Sequence, residues 1–269
     1  MDAAQFLGLE AADEPRRWRL PVRQEITSGL GALFGGVGLG AAVEAMVQHT
    51  GRPLVWATAQ YLSFARPPSV VDIEVVDAAL GHKTSQVRAT GHVGDLEIFT
   101  VNAALGQREF PAGGTWAERP DVPPPAECPV RPIDARMKGR LASRWEMRMA
   151  KGRGMDELPG PPGDGRTAFW ARIPGLEVSY TSLAILGDMV PAGISQALGM
   201  RAGGNSLDNT IRVVQLMQTD WVLLDVRIHA VAHGFGHGLA HIWAEDGTLL
   251  ATASQSAVVR GFREEPPRD

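Results

Sequence analysis

The chain has 269 residues, enough for one large domain or two ordinary ones. Apolar residues make up 44% and charged residues 21%, the balance of a soluble globular protein, and a net charge of −4 gives no electrostatic footing for nucleic acid. The single cysteine, Cys128, excludes an intrachain disulfide; it sits in the Pro-rich stretch Val122–Val130 with no histidine near it in sequence, which argues against a thiol nucleophile.

The N-terminus is acidic and has no basic segment leading into an apolar run, so it is not read as a secretory signal, and a cytoplasmic location is expected. Trp18–Val22 reads as a short strand. Leu33–Met46 reads as a helix, with Leu39, Val43, Met46 and Val47 at helical spacing. Its glycines and Glu44 fit a buried helix rather than a membrane span, and their crowding implies close approach of a backbone or a ligand. Val55–Phe64, Val70–Val76, Thr84–His92 and Leu96–Leu105 are strand-like, with a hairpin over Gly91–Asp95. Seven prolines between Pro111 and Pro132 make the following connector extended. Met137–Arg153 carries six basic residues and reads as a solvated strand or connector. Ser143–Met149 and Ala168–Ile173 then read as strands and Ser182–Leu198 as a second helix, which Pro191 starts or kinks. Thr210–Met217, Trp221–His229, Gly238–Ala244 and Leu249–Val259 complete the strands; Glu245–Thr248 has the look of a type I′ turn, and the charged tail Gly261–Asp269 is expected to fray.

The two halves read as copies. Val75–Ala104 aligns on Val226–Gln255 with a constant shift of 151, and Gln60–Arg66 aligns on Asn209–Gln215. In this alignment three alanines of the first copy face polar residues in the second: Ala59 against Asp208, Ala78 against His229, and Ala104 against Gln255. A scaffold half and a working half follow from that contrast, with Asp208, His229 and Gln255 as candidate site residues. Singly, each has an ordinary reading: a turn acid, a strand end, or a polar residue on an edge strand. The run His233–His241 spaces three histidines by four and invites a zinc reading, but its glycines argue against the helix that such spacing needs; no metal is assigned. A Gly-x-Ser-x-Gly elbow and a nucleotide-binding P-loop are both missing from the sequence.

Leu33–Leu39, Phe64–Pro67, Ser206–Asn209 and Ala251–Ser256, in this order, resemble the acyl-CoA thioesterase II family. The resemblance runs from about Trp18 to Arg260. It implies an α+β double hot-dog fold: two tandem repeats, each a long central helix packed on a curved antiparallel β-sheet. The expected division is residues 1–106, a connector 107–138, and 139–262 carrying the site. It further implies hydrolysis of acyl-CoA by a water held by Asp208, Gln255 and, where the family has threonine, His229; the family's usual histidine after the aspartate is Asn209 here. Backbone N–H groups at Gly35, Gly36 or Gly187 are the expected oxyanion donors. Neither a metal nor a cofactor is needed, and a homodimer or higher homo-oligomer is expected. Arg66, Lys83 and Arg88 are weaker candidates for CoA phosphates. Two other readings stay open: an enoyl-thioester hydratase or dehydratase, and a non-catalytic acyl-thioester binder.

Overall fold

The computed structural model describes residues 1–133 and 135–262. Most of the charged tail, residues 263–269, lies outside the described residues.

Apolar and β-branched runs punctuated by glycine turns give strands, and all thirteen join one sheet. The first half contains α1 (Ala3–Leu7), β1 (Glu10–Ala11), β2 (Arg17–Pro21), α2 (Gly35–Thr50), β3 (Leu54–Tyr61), β4 (Val70–Leu80), β5 (Thr84–Val93) and β6 (Leu96–Gly106). The second contains β7 (Glu146–Lys151), β8 (Arg166–Arg172), α3 (Tyr180–Gly187), α4 (Ile194–Leu198), β9 (Ala202–Ser206), β10 (Asp208–Val213), β11 (Val222–Ala232), β12 (Phe235–Ala244) and β13 (Leu249–Gly261). The sheet order is β1-β2-β4-β5-β6-β3-β10-β13-β12-β11-β8-β7, with β9 also pairing β13. Read outward from the β3–β10 junction, the order β3-β6-β5-β4-β2 repeats as β10-β13-β12-β11-β8. All pairings are antiparallel. The helices lie on one face, over a core that takes in Val37, Leu39, Val43 and Met46 of α2 and Leu183 and Ile185 of α3.

The register refines the repeat. The pair Val87–Ala103 in β5–β6 corresponds to Gly238–Gln255 in β12–β13, so β12 is offset from β5 by 151 but β13 from β6 by 152. The extra residue is in the hairpin. Val93 and Leu96 are joined by Gly94–Asp95, whereas Ala244 and Thr248 are joined by Glu245–Gly247. Of this second loop only Gly247 takes positive φ (94°), which is the geometry of a three-residue loop rather than the expected type I′ turn. A type I′ turn does occur at His233 (φ 52°) and Gly234 (φ 81°), between β11 and β12. The offset of 152 also relates β3 to β10, so the counterpart of Asp208 is Trp56 and that of Gln255 is Ala103, not Ala59 and Ala104. The Ala78–His229 match holds: each is the extra residue of a β-bulge at the same place in its strand. Thr58 and Thr210 are equivalent and directly paired, and their hydroxyls meet at 2.9 Å. A pseudo-two-fold axis passes between them.

The helices break the symmetry. α2 is a continuous helix of sixteen residues, but the second long helix expected over Ser182–Leu198 is interrupted. α3 ends at Gly187, Asp188 and Met189 leave helical geometry (ψ 43° and 3°), and a 3₁₀ turn over Val190–Gly193 precedes α4. Pro191 explains the break: it offers no N–H and disfavours helical geometry at Val190. α2 and α3 run antiparallel in contact. Their closeness depends on Gly36 and Gly40: a Cβ at Gly36 would stand 2.9 Å from the Ile185 carbonyl, and one at Gly40 would stand 3.2 Å from the Thr181 carbonyl. The close partner implied by the glycine-rich helix start is therefore a second helix. No helix among the described residues is long and apolar enough to cross a membrane.

Candidate active site

Where α3 breaks, Asp188 is left buried against the first turn of α2. The backbone N–H of Gly36 donates to its Oδ2 at 2.6 Å. The residue before α2, Phe34, supplies no side-chain cap, so a carboxylate from the other half caps this helix start, where the helix dipole favours negative charge. Ser206 at the end of β9 donates its hydroxyl to Asp188 Oδ1 at 3.1 Å, and Gln255 Nε2 donates to the same oxygen. Gln255 Nε2 also reaches Ser206 Oγ at 3.0 Å, while its Oε1 accepts the Val190 N–H at 3.0 Å. A carboxylate on one side and a backbone donor on the other leave only this orientation of the amide. Burial pushes the Asp188 carboxyl up to about 6, against the pull of the bonds from Gln255, Gly36 and Ser206.

Tyr61 and Asn209 flank this cluster. Tyr61 crowds Gly35, where a Cβ would stand 2.9 Å from the phenol Cζ and 2.8 Å from Asp188 Oδ2. Burial and then the Asp188 carboxylate raise the Tyr61 pKa well above its usual value; Asn209 lies beside the hydroxyl and pulls the other way. The Tyr61 hydroxyl and both polar atoms of the Asn209 amide are buried without any partner that meets hydrogen-bond geometry. Buried polar atoms of this kind are uncommon and carry a cost of about 1–3 kcal/mol each until something pairs with them.

Of the three residues singled out from the sequence, Gln255 lies in this cluster. Asp208 is placed differently. Its register neighbours are Gln60 and, by the β10–β13 pairing, Ser256, so it stands on the face opposite Gln255, and its Oδ1 accepts the Ser256 N–H at 2.7 Å. His229 is exposed at the β11 bulge, and among the described residues no hydrogen bond joins it to Asp208 or Gln255. Of the glycines, Gly36 has its N–H committed to Asp188, leaving Gly35 as the neighbouring donor at the same helix end. Gly187 closes α3 and packs 3.2 Å (as Cβ) from Ala253, its N–H inside the helical ladder. Asp188 escaped sequence reasoning because Leu183–Val190 looks like the middle of a helix; the available signal was an acid in an apolar run just before Pro191.

The histidines do not converge. His233 is in the turn, and His237 and His241 are four residues apart on one strand, roughly 13 Å at about 3.3 Å per residue. His237 meets Ser256 Oγ at 3.1 Å, and His241 lies beside the buried Asp225, which pairs with Arg227. No metal-ligating cluster occurs among the described residues. Two clefts, of 570 and 420 Å³, open beside β8 and β7: one lined by Arg172, Leu176 and Leu186, the other by Arg131, Trp145 and Met147. Neither includes Asp188 or Gln255, which lie in the closed layer between helix and sheet.

Comparison with known proteins assigns the lineage. The acyl-CoA thioesterase C-terminal domain family matches residues 125–259, a span that contains Asp188, Ser206 and Gln255. No curated protein matches the chain. A protein of Novosphingobium aromaticivorans, provisionally described as a thioesterase, is 31% identical, and its crystal structure superposes with a TM-score of 0.82 over 94% of this chain and 98% of that one. Two more distant structures share the fold. A hot-dog protein of unknown function from Alicyclobacillus acidocaldarius is 22% identical (TM-score 0.82, 95% and 96% covered). An acyl-CoA thioesterase II of Mycobacterium marinum is 19% identical (TM-score 0.75, 96% and 98% covered). With a family match over half its length and a 31% identical homologue along nearly all of it, this hot-dog chain belongs to the acyl-CoA thioesterase family and is a thioesterase.

Proposed function

We propose that the protein hydrolyses acyl-CoA thioesters by direct attack of water, without an acyl-enzyme intermediate, with Asp188 as the general base. The observation that carries this reading is a buried carboxylate near neutral pKa, hydrogen-bonded to Gln255 and Ser206, beside two unpaired buried donors. At neutral pH a carboxyl titrating at about 6 is mostly ionised yet basic enough to take a proton, which suits general-base work. Asp188 takes a proton from water, and the water oxygen attacks the thioester carbonyl carbon. The Tyr61 hydroxyl and the Asn209 amide N–H stabilise the resulting oxyanion, joined by the Gly35 N–H. Tyr61 keeps its proton throughout, since its pKa lies above the ordinary phenol value. Collapse breaks the carbon–sulfur bond, and the leaving thiolate recovers the proton from Asp188, giving free acid and thiol. Gln255 and Ser206 hold the carboxylate in place, which keeps water and base in one geometry.

The trio implied by family resemblance, Asp208 with Gln255 and His229, is the rival assignment. One observation favours it: Asp208 also acts on the Tyr61 phenol through space. Thiol release from acyl-CoA, followed with a thiol reagent, separates the two. Asp188→Asn should abolish release while Asp208→Asn and His229→Ala retain it; the reverse pattern assigns the base to Asp208. Hydration of crotonyl-CoA without thiol release would indicate a hydratase, and saturable binding without either reaction a binder.

A further inference from the structure

Arg131 is a half-buried cation that the thioesterase chemistry does not use. It lies in the Pro-rich connector, where its backbone N–H bonds the Met147 carbonyl at 2.9 Å. Its guanidinium sits over the Phe169 ring at 5.2 Å and reaches the Met147 sulfur at 3.6 Å. No carboxylate among the described residues pairs with it. Burial lowers its pKa, as expected of a cation kept from water. A ring contact returns about 0.5–2 kcal/mol, whereas the effective cost of taking an ion fully out of water runs to several. The other charged residues of the same 420 Å³ cleft are matched: Glu146 pairs with Arg172, and Arg148 donates to the Cys128 carbonyl and lies over Trp221. Arg131 faces this cleft without a charged partner among the described residues, and the remaining walls are largely apolar, among them Ile133, Trp145 and Met147.

Two packing contacts lead from this cleft toward the candidate active site. Trp145 meets Phe34 edge to face at 5.8 Å, and Phe34 is the residue that leads into Gly35 and Gly36. Phe169, under the guanidinium, packs in one cluster with Val190, whose N–H is held by Gln255, and with Ala253, two residues from Gln255.

We infer that Arg131 is an anion-binding residue for the thioester substrate, taking either a carboxylate at the far end of the acyl group or a phosphate of the CoA. Arginine suits both, because its planar donors match paired oxygens. The inference rests on the thioesterase reading only for the identity of the ligand; the test reads binding, so it stands or falls apart from the assignment of the base. The full chain and its Arg131→Met and Arg131→Lys variants would be titrated calorimetrically with CoA, pantetheine and glutarate at low salt. Arg131→Met should weaken CoA or glutarate at least tenfold and leave pantetheine unchanged, with Arg131→Lys intermediate. Loss confined to CoA identifies phosphate as the anion, and loss of glutarate identifies carboxylate. The proposal is overturned if the wild type binds neither anion, if Arg131→Met binds both as the wild type does, or if pantetheine weakens equally. Unfolding midpoints of the variants guard against misfolding, and if Arg131→Met fails to fold, Arg131→Lys must itself show the anion-selective loss or the proposal falls.

Discussion

Replacing Asp188 by asparagine should change how stability depends on pH, in a direction the structure fixes. The carboxyl titrates near its ordinary 3.8 when unfolded and at about 6 when folded. A folded pKa above the unfolded one means that the native state holds the proton more tightly. The stabilisation is therefore fully present below the unfolded pKa and is lost as pH rises through 6. Two pKa units at 1.36 kcal/mol each make about 3 kcal/mol, of which about 2 falls between pH 4.5 and 7.5. Asparagine does not titrate and abolishes this term. It also brings a defect: one amide oxygen cannot accept from both Gly36 on one side and Gln255 with Ser206 on the other, which costs about 1–3 kcal/mol at every pH. The variant should thus be less stable than wild type by about 1–3 kcal/mol at pH 7.5, and by about 2 kcal/mol more at pH 4.5. Urea unfolding at both pH values measures the difference. A gap between variant and wild type that moves by less than about 0.5 kcal/mol would show that Asp188 is not the perturbed group and would remove its claim as base.

Four further outcomes follow from the same geometry. In the wild type, kcat/KM for acyl-CoA should fall tenfold per pH unit below about 6, as Asp188 becomes protonated, and the acid limb should disappear in Asp188→Asn along with all but about a hundredth to a ten-thousandth of the rate. Gln255→Ala leaves the Val190 N–H unpaired and the carboxylate less restrained, so both a stability loss of about 1–3 kcal/mol in urea and a fall in kcat are expected. Gly36→Ala drives a methyl to 2.8 Å from the Asp188 Cβ, forcing α2 from α3; thermal unfolding should show about 1–3 kcal/mol of destabilisation. His229→Ala, at an exposed bulge, should shift stability by no more than about 0.5 kcal/mol, with thiol release little changed.

The strands and the first helix were legible because their signals are local. Thr84–His92 alternates buried and exposed side chains within β5, and the helical spacing of Leu39, Val43 and Met46 marks the buried face of α2. What escaped is set by contacts far apart in sequence. One added residue in the Glu245–Gly247 loop moves β13 by a single position, and in a strand a single position exchanges faces. That is why aligning Ala104 with Gln255 put an outward-facing position against an inward-facing one. Asp208 drew attention as a polar residue aligned against Ala59, yet strand register turns it away from Gln255. Asp188 and Arg131 had little local signal: one is an acid in an apparent helix just before Pro191, the other sits among prolines, and each matters because of what a distant segment brings to it.

The position of Asp188 also explains why a duplicated chain suits this site. Asp188 comes from the second half, and the first turn of α2 that meets it comes from the first: Gly36 donates its N–H to the carboxylate, and a Cβ at Gly36 would have no room beside it. The cluster is thus built from unlike residues of the two halves, which a chain carrying two diverged copies supplies. The broken second helix belongs to the same solution. Continued through Asp188, α3 would keep the Val190 N–H in its own ladder; interrupted by Pro191, it frees that N–H for Gln255 and leaves the carboxylate against the start of α2. Restoring helix there, by Pro191→Ala, should therefore lower kcat more than it alters overall stability, and an unchanged kcat would detach the break from the chemistry.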